Sequence, residues 1–201
     1  MGVLASIIDR SISGSFSSEV FKVGDNTFYS CRGLTEISFP NATSIGNGAS
    51  QYCEGLTSVS FPNAISLDNS AFSICSGLAS VSFPNATSIG GETFNACKKL
   101  TSVSFPKATS IGRSAFNSCS NLTEVSFPNA TSIDGWAFYN CRGLTTIYVG
   151  TNTSTVCTLS NTNTFDGCTK LANIYVPASL VNSYKSATNW SNYASKIKAT
   201  P

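Results

Sequence analysis

The chain contains no histidine among its 201 residues. That removes the commonest general base, and with it the serine and cysteine triads in which an imidazole takes the proton. It also removes half of the usual zinc ligand set, and no Cys-x-x-Cys pair stands in for it. Charge is scarce too: 12 Lys and Arg face 10 Asp and Glu, a net of +2, with only 11% of residues charged. A nucleic-acid partner would need a basic stripe to neutralise phosphates, so none is expected. No stretch approaches the ~20 apolar residues of a membrane span, so no direct membrane insertion is expected. Met1 to Arg10 lacks the basic start and long apolar run of a secretory signal. The expectation is either a fragment of a longer exported protein or export by another route, for example in a virion.

What the chain has is repetition. Cys31, Cys53, Cys75, Cys97, Cys119 and Cys141 recur every 22 residues, and Cys168 follows after a five-residue insertion. A leucine stands three residues after each one. Such a period predicts stacked coils, each burying its apolar face only against its neighbours. The unit is Leu-x-x-Val-x-Phe-Pro, then Ala-x-x-Ile-Gly/Asp, then Ala/Thr-Phe-x-x-Cys. A β-branched residue recurs at Ile37, Val59, Val81, Val103, Val125, Ile147 and Ile174. Two residues later come Phe39, Phe61, Phe83, Phe105 and Phe127, with Val149 and Val176 in the last two copies. This alternation predicts a short half-buried strand. The next proline, which lacks a donor, ends it. Ala42 with Ile45 and their equivalents predict a second short extended piece. Phe72, Phe94, Phe116, Phe138 and Phe165, three residues before their cysteines, predict one helical turn carrying both side chains inward.

Phe-Pro-Asn-Ala-Thr-Ser-Ile-Gly followed by Ala-Phe-x-x-Cys-x-x-Leu resembles the BspA-like, Treponema-type leucine-rich repeat, over roughly residues 20–177. The resemblance implies a right-handed solenoid of α/β type, with short parallel strands on one face and short helical turns on the other. It also implies surface exposure on bacteria, adhesion and partner binding. Residues 1–19 (Ile7, Ile8, Ile12, Phe16) are expected to form a cap or worn first coil, residues 20–177 the seven-copy solenoid with an insertion at about 150–163, and residues 178–201 a C-terminal helical cap. In that cap Leu180 and Tyr184, and Trp190, Tyr193, Ala194 and Ile197, have helical spacing.

The cysteines are expected as free thiols filling the core, because equivalent side chains in a stack point in parallel rather than toward each other. Cys157, in the Thr-rich insertion, is expected to be the reactive one. No catalytic, cofactor or metal residue is predicted. Glu36 and Glu124, at equivalent strand positions, are four coils apart, about 20 Å at a ~4.8 Å strand spacing, and Asp68 and Asp134 suit turns. Arg32, Lys98, Lys99, Arg142 and Lys170 gather weakly on one edge and are taken as a solvated rim, with binding of an anionic partner as the lesser alternative. Asn41, Asn85 and Asn129 head Asn-Ala-Thr triplets, which repeat consensus explains without sugar; Asn121, Asn152 and Asn189 also fit a sequon. Ser50 stands where other coils have phenylalanine, a void costing ~3 kcal/mol unless filled, and Tyr52 is placed to turn in.

The outward strand positions are Glu36 and Ser38, Ser58 and Ser60, Ser80 and Ser82, Ser102 and Ser104, Glu124 and Ser126, Thr146 and Tyr148, and Asn173 and Tyr175. Tyrosines among small polar residues suit a recognition surface, since they bring contact area at low entropic cost. The expected function is a monomeric, non-enzymatic surface module that binds protein or glycan through this face. A virion receptor-binding part and a passive spacer, whose tyrosines merely lean on the cap, are the alternatives.

Overall fold

The structure, a computed structural model, describes residues 13–15 and 21–201. The strands in chain order are β1 (Ser13–Ser15), β2 (Lys22–Val23), β3 (Glu36–Ser38), β4 (Ser44–Ile45), β5 (Ser58–Ser60), β6 (Ser66–Leu67), β7 (Ser80–Ser82), β8 (Ser88–Ile89), β9 (Ser102–Ser104), β10 (Ser110–Ile111), β11 (Glu124–Phe127), β12 (Ser132–Ile133), β13 (Thr146–Val149), β14 (Thr158–Leu159), β15 (Asn173–Val176) and β16 (Ile197–Ala199). The pairings are parallel and in register, Glu36 opposite Ser58 and Val125 opposite Ile147. The Leu-x-x-Val-x-Phe segments stack on one side as β1-β3-β5, β7-β9 and β11-β13-β15-β16. The Ala-x-x-Ile segments stack on another as one seven-stranded sheet from β2 to β14. The chain is therefore a leucine-rich-repeat solenoid. Ile7, Ile8, Ile12 and Phe16 lie outside the described residues, while the backbone of β1 pairs with β3.

Apolar columns fill the tube. The leucines at 34, 56, 78, 100, 122 and 144 are completely buried. Two phenylalanine columns run beside them, one from the strand side and one from the turn side. Along the turn side Phe72, Phe94, Phe116, Phe138 and Phe165 stack nearly parallel, with centroids 5.4–5.6 Å apart. Along the strand side Phe61, Phe83 and Phe105 do the same at 6.1 and 5.3 Å. From Phe61 to Phe138 each ring also meets rings of the other column, as Phe94 meets Phe83 at 6.1 Å and Phe105 at 5.8 Å, whereas Phe165 meets Trp190 and Tyr193 instead. Full burial of one such side chain is worth about 1.5–3 kcal/mol, so the columns dominate the stabilisation.

The turn segment departs from a helical turn. Complete coils hold two left-handed residues there, Ser70 and Ile74, Glu92 and Ala96, or Trp136 and Asn140, at φ of 56–62°. These break the helix, and hydrogen bonding alternates instead. Ser73 and Cys75 donate back three residues to Ser70 and Phe72, whereas Ser70, Phe72 and Ile74 donate across to Gly91, Thr93 and Asn95 of the next coil. A true helical turn would bond only within itself and leave neighbouring coils unlinked on this side. At Gly112 the coils come so close that a Cβ would lie 2.7 Å from backbone atoms of Gly90 and Gly91, which no side chain tolerates.

Side chains add further columns. Asn63, Asn85 and Asn129 donate Nδ2 to the carbonyls of Pro40, Pro62 and Pro106 in the preceding coil, at 2.7–2.9 Å. Thr109 and Thr131 donate to Thr87 and Thr109 in the same way. The Asn-Ala-Thr triplet thus has a structural use in which both its polar side chains tie coils together.

Ser50 is buried, and no ring replaces the missing phenylalanine. Tyr52 does not turn in. It occupies the outward left-handed position (φ 64°) and packs edge-on against Tyr29 at 5.4 Å. The backbone of a residue directly before the inward cysteine cannot aim its side chain inward as well.

Beyond Pro177 the chain forms a short 3₁₀ turn, helix α1 (Val181–Ser186), a 3₁₀ helix over Trp190–Lys196, and β16. Tyr184 and Trp190 are fully buried over the last coil. Ile197 is not helical as its spacing suggested; it opens a strand that pairs with β15, Ile197 opposite Ile174. The inserted residues fall mainly between Val149 and Thr158, since β13 pairs with β11 and β14 still continues the second sheet.

Candidate interaction surface

The strand side presents two outward columns. The first runs Glu36, Ser58, Ser80, Ser102, Glu124, Thr146 and Asn173; the second runs Ser38, Ser60, Ser82, Ser104, Ser126, Tyr148 and Tyr175. The register brings all fourteen onto one surface. Ser58, Ser60, Ser80, Ser82, Ser102, Ser104, Glu124 and Ser126 are exposed, as is Glu36, while Ser38 is half-buried. Thr146 is not available: it is 8% exposed, beneath Asn173, whose amide donates to its Oγ1 at 3.4 Å.

Tyr148 and Tyr175 stack on one another with centroids 5.0 Å apart and planes at 24°. Because the preceding residue in the column is the small Ser126, the ring pair stands above a floor of hydroxyls like a step. Partial desolvation raises the Tyr148 hydroxyl above the ordinary tyrosine range, and the Glu124 carboxylate and Tyr175 add to that shift. Beyond Tyr175 the column ends in Lys198, which pairs with it in β16 and donates Nζ to Asn173 Oδ1 at 2.6 Å. Sequence reasoning misses Lys198. The alternation Ile197-Lys198-Ala199, matching Ile174-Tyr175-Val176, is the signal that identifies it.

The cysteines form a second regular feature, inside the tube. Their S–H groups donate to the carbonyl of the phenylalanine-position residue of the preceding coil: Cys97 to Phe72 at 3.2 Å, Cys119 to Phe94 at 3.1 Å, Cys168 to Phe138 at 3.0 Å. That carbonyl also accepts the backbone N–H of its own coil's cysteine, so the thiol satisfies its second lone pair. All eight cysteines are free and buried. Cys157 is no exception, contrary to its place in the insertion. Its backbone N–H donates to the Tyr184 hydroxyl oxygen at 2.9 Å, and its carbonyl accepts the Trp190 Nε1–H at 2.6 Å. Burial pushes its thiol up to about 12, which leaves almost no thiolate at neutral pH.

Glu36 and Glu124 stand at the two ends of the serine rows, with three serine-bearing coils between them. Asp68 and Asp134 lie exposed in turns. Among the described residues no three His, Cys, Asp or Glu side chains converge as a metal site would require, and no helix is long and apolar enough to cross a membrane.

A model of the BspA type leucine-rich repeat region, in six copies, matches residues 11–109 and 87–198. No curated protein matches the chain. Among solved structures it is similar to a leucine-rich repeat protein from Bacteroides ovatus, with 25% identity and a TM-score of 0.76, covering 93% of this chain and 47% of that one. It is similar also to the Treponema pallidum leucine-rich repeat protein, at 20% identity and a TM-score of 0.52, over 90% of this chain and 81% of that one. A leucine-rich repeat protein from Eubacterium ventriosum gives 22% and 0.51, over 66% of this chain and 42% of that one. The chain thus spans about half the length of the Bacteroides protein. With the repeat, the register and the family model in agreement, the chain belongs to the BspA-type leucine-rich-repeat family.

Proposed function

We propose that the chain is a non-enzymatic recognition module at a cell surface, which binds a protein or glycan partner through the strand side of the solenoid. The leucine-rich-repeat family suggests an interaction or surface role. The observation that carries the finer reading is the Tyr148–Tyr175 stack rising from a nearly uncharged serine floor. Rigid aromatic area beside adaptable hydroxyls makes a contact surface at small entropic cost. Nothing of this kind is needed to hold the coils together, because Tyr148 and Tyr175 are only half-buried while the columns beneath are closed.

The test is a panel of immobilised matrix proteins and glycans probed with the wild-type chain, Tyr148→Ser/Tyr175→Ser and Ser80→Glu/Ser102→Glu. A ligand held by this face loses about tenfold or more with each variant, at unchanged melting temperature. If the wild type binds no member of the panel, or both variants bind as it does, the chain is a spacer and the reading fails.

A further inference from the structure

The positions one and two residues after each cysteine form a rim alongside the strand side, exposed wherever it carries a charge and half-buried at its glycines and at Ser76 and Ser120. In the first coil Arg32 is balanced by Glu54 of the second, Nε to Oε1 at 3.5 Å. From Cys97 onward the rim carries Lys98, Lys99, Arg142 and Lys170, all exposed, and otherwise Ser120, Asn121, Gly143 and Thr169. It holds no acid in these coils, and none of the four cations pairs with a carboxylate among the described residues. The C-terminal 3₁₀ helix then brings a fifth cation to the same edge: Lys196 donates Nζ to the carbonyl of Leu171 at 2.6 Å. Asp25, Asp68, Glu92 and Asp134 are all at the opposite end of the turn segment, and the acids nearest the rim are Asp166, two residues before Cys168, and Glu124 on the strand side, neither of which pairs with a rim cation. In a chain so poor in charge, five cations over about 19 Å, at the ~4.8 Å spacing of stacked strands, interrupted only by the uncharged Ser120–Asn121 coil, are a concentrated patch.

A second column borders the rim. Thr101 and Thr145 donate their hydroxyl protons to the carbonyls of Ala79 and Thr123 at 3.2 and 3.0 Å. The Thr101 oxygen is therefore left to solvent as an acceptor only, while that of Thr145 also lies 3.5 Å from the Thr146 hydroxyl and keeps one lone pair for solvent. We propose that the rim from Lys98 to Lys196, with its bordering threonine oxygens, binds an acidic polysaccharide. The cations take its sulfate or carboxylate groups and the threonine oxygens accept from its hydroxyls. A nucleic-acid strand fits worse: its backbone brings few hydroxyl donors, and the rim has no aromatic side chain on which bases stack.

The experiment titrates the chain with a heparin-derived octasaccharide, and with oligothymidylate of matched charge, at low and moderate salt. Lys98→Ser/Lys99→Asn/Lys170→Asn installs residues that other coils already carry at these positions, so its melting temperature stays that of the wild type. The expected result is saturable binding of the octasaccharide that weakens linearly in log salt, and falls about tenfold or more in the triple variant. Arg32→Ser and Tyr148→Ser/Tyr175→Ser leave it unchanged, which separates this site from the strand side. Absence of binding, undiminished binding by the triple variant, or equal affinity for oligothymidylate would overturn the proposal.

Discussion

Replacing Ser50 by phenylalanine should stabilise the protein. The backbone at this rung keeps the spacing of complete rungs: Phe28 N–H reaches the carbonyl of Ala49 at 2.7 Å and Ser50 N–H that of Ala71 at 2.8 Å, as Phe94 reaches Ala115 at 2.8 Å and Phe72 reaches Thr93 at 2.9 Å. The thiol of Cys75 likewise bonds the Ser50 carbonyl at 3.1 Å, as its equivalents do elsewhere. In a complete coil the turn-side ring sits between two strand-side rings, Phe72 lying 5.9 Å from both Phe61 and Phe83. A ring at position 50 would meet Phe39 and Phe61, which are 5.9 Å apart, in the same way. Burial contributes about 1.5–3 kcal/mol, from which imperfect fit subtracts part of the ~1–3 kcal/mol typical of overpacking. The expected gain is about 1–2 kcal/mol, or roughly 2–8 °C in Tm for a chain of this size. Urea denaturation of Ser50→Phe and wild type, compared at equal m, measures it. Phe94→Ala is the converse control and should lose about 3–5 kcal/mol. A lower midpoint for Ser50→Phe would mean that the space has already been taken by the neighbouring rings, and would refute the reasoning.

Two further outcomes follow from the thiols. A chromogenic thiol reagent added to native protein at neutral pH should find no fast-reacting cysteine, Cys157 included, and all eight after unfolding; one rapid equivalent in the native state would contradict the burial of Cys157. The alkaline limb of stability should be steep. Burial pushes Cys53, Cys97 and Cys157 up to about 12, whereas unfolded thiols release their protons near roughly 8.5–9. Between those values the unfolded chain binds fewer protons than the folded one, so stability is complete below about pH 8.5 and falls as pH rises, by about 1.4 kcal/mol per pH unit per thiol. Cys97→Ala should flatten that slope, as urea midpoints from about pH 7 to 10.5 will show.

The columns were legible because each one repeats a residue type at a fixed interval: leucine, phenylalanine and cysteine point inward in copy after copy, and the strand alternation follows directly. The turn was not, because left-handed residues such as Ile74 and Tyr52 are not the glycines that usually announce them. Their conformation is imposed by the cross-coil hydrogen bonds, which no local pattern records. Cys157 misleads for a related reason. A threonine-rich insertion reads as an exposed loop, but Tyr184, Trp190 and Asn189, some 30 residues later, close over it. Of the surface, the serine rows and tyrosines were visible in the alternation. The burial of Thr146 comes from the Asn173 amide laid over it, and the presence of Lys198 from β16, which helical spacing of Ile197 concealed.

The alternation of bonds in the turn segment has a dynamic consequence. An interior coil is bonded to both neighbours on the strand side, on the second sheet and through the turn, so it cannot open alone without breaking three seams at once. Amide exchange should therefore rise toward the ends as a gradient rather than mark separate loops and cores. At the C-terminal end an opening event must first release the clasp in which Trp190 holds the Cys157 carbonyl, Tyr193 that of Thr162 and Asn189 that of Leu159. The protein then behaves as a ratcheted stack, undone one coil at a time, and the terminal clasp sets how often the first tooth slips.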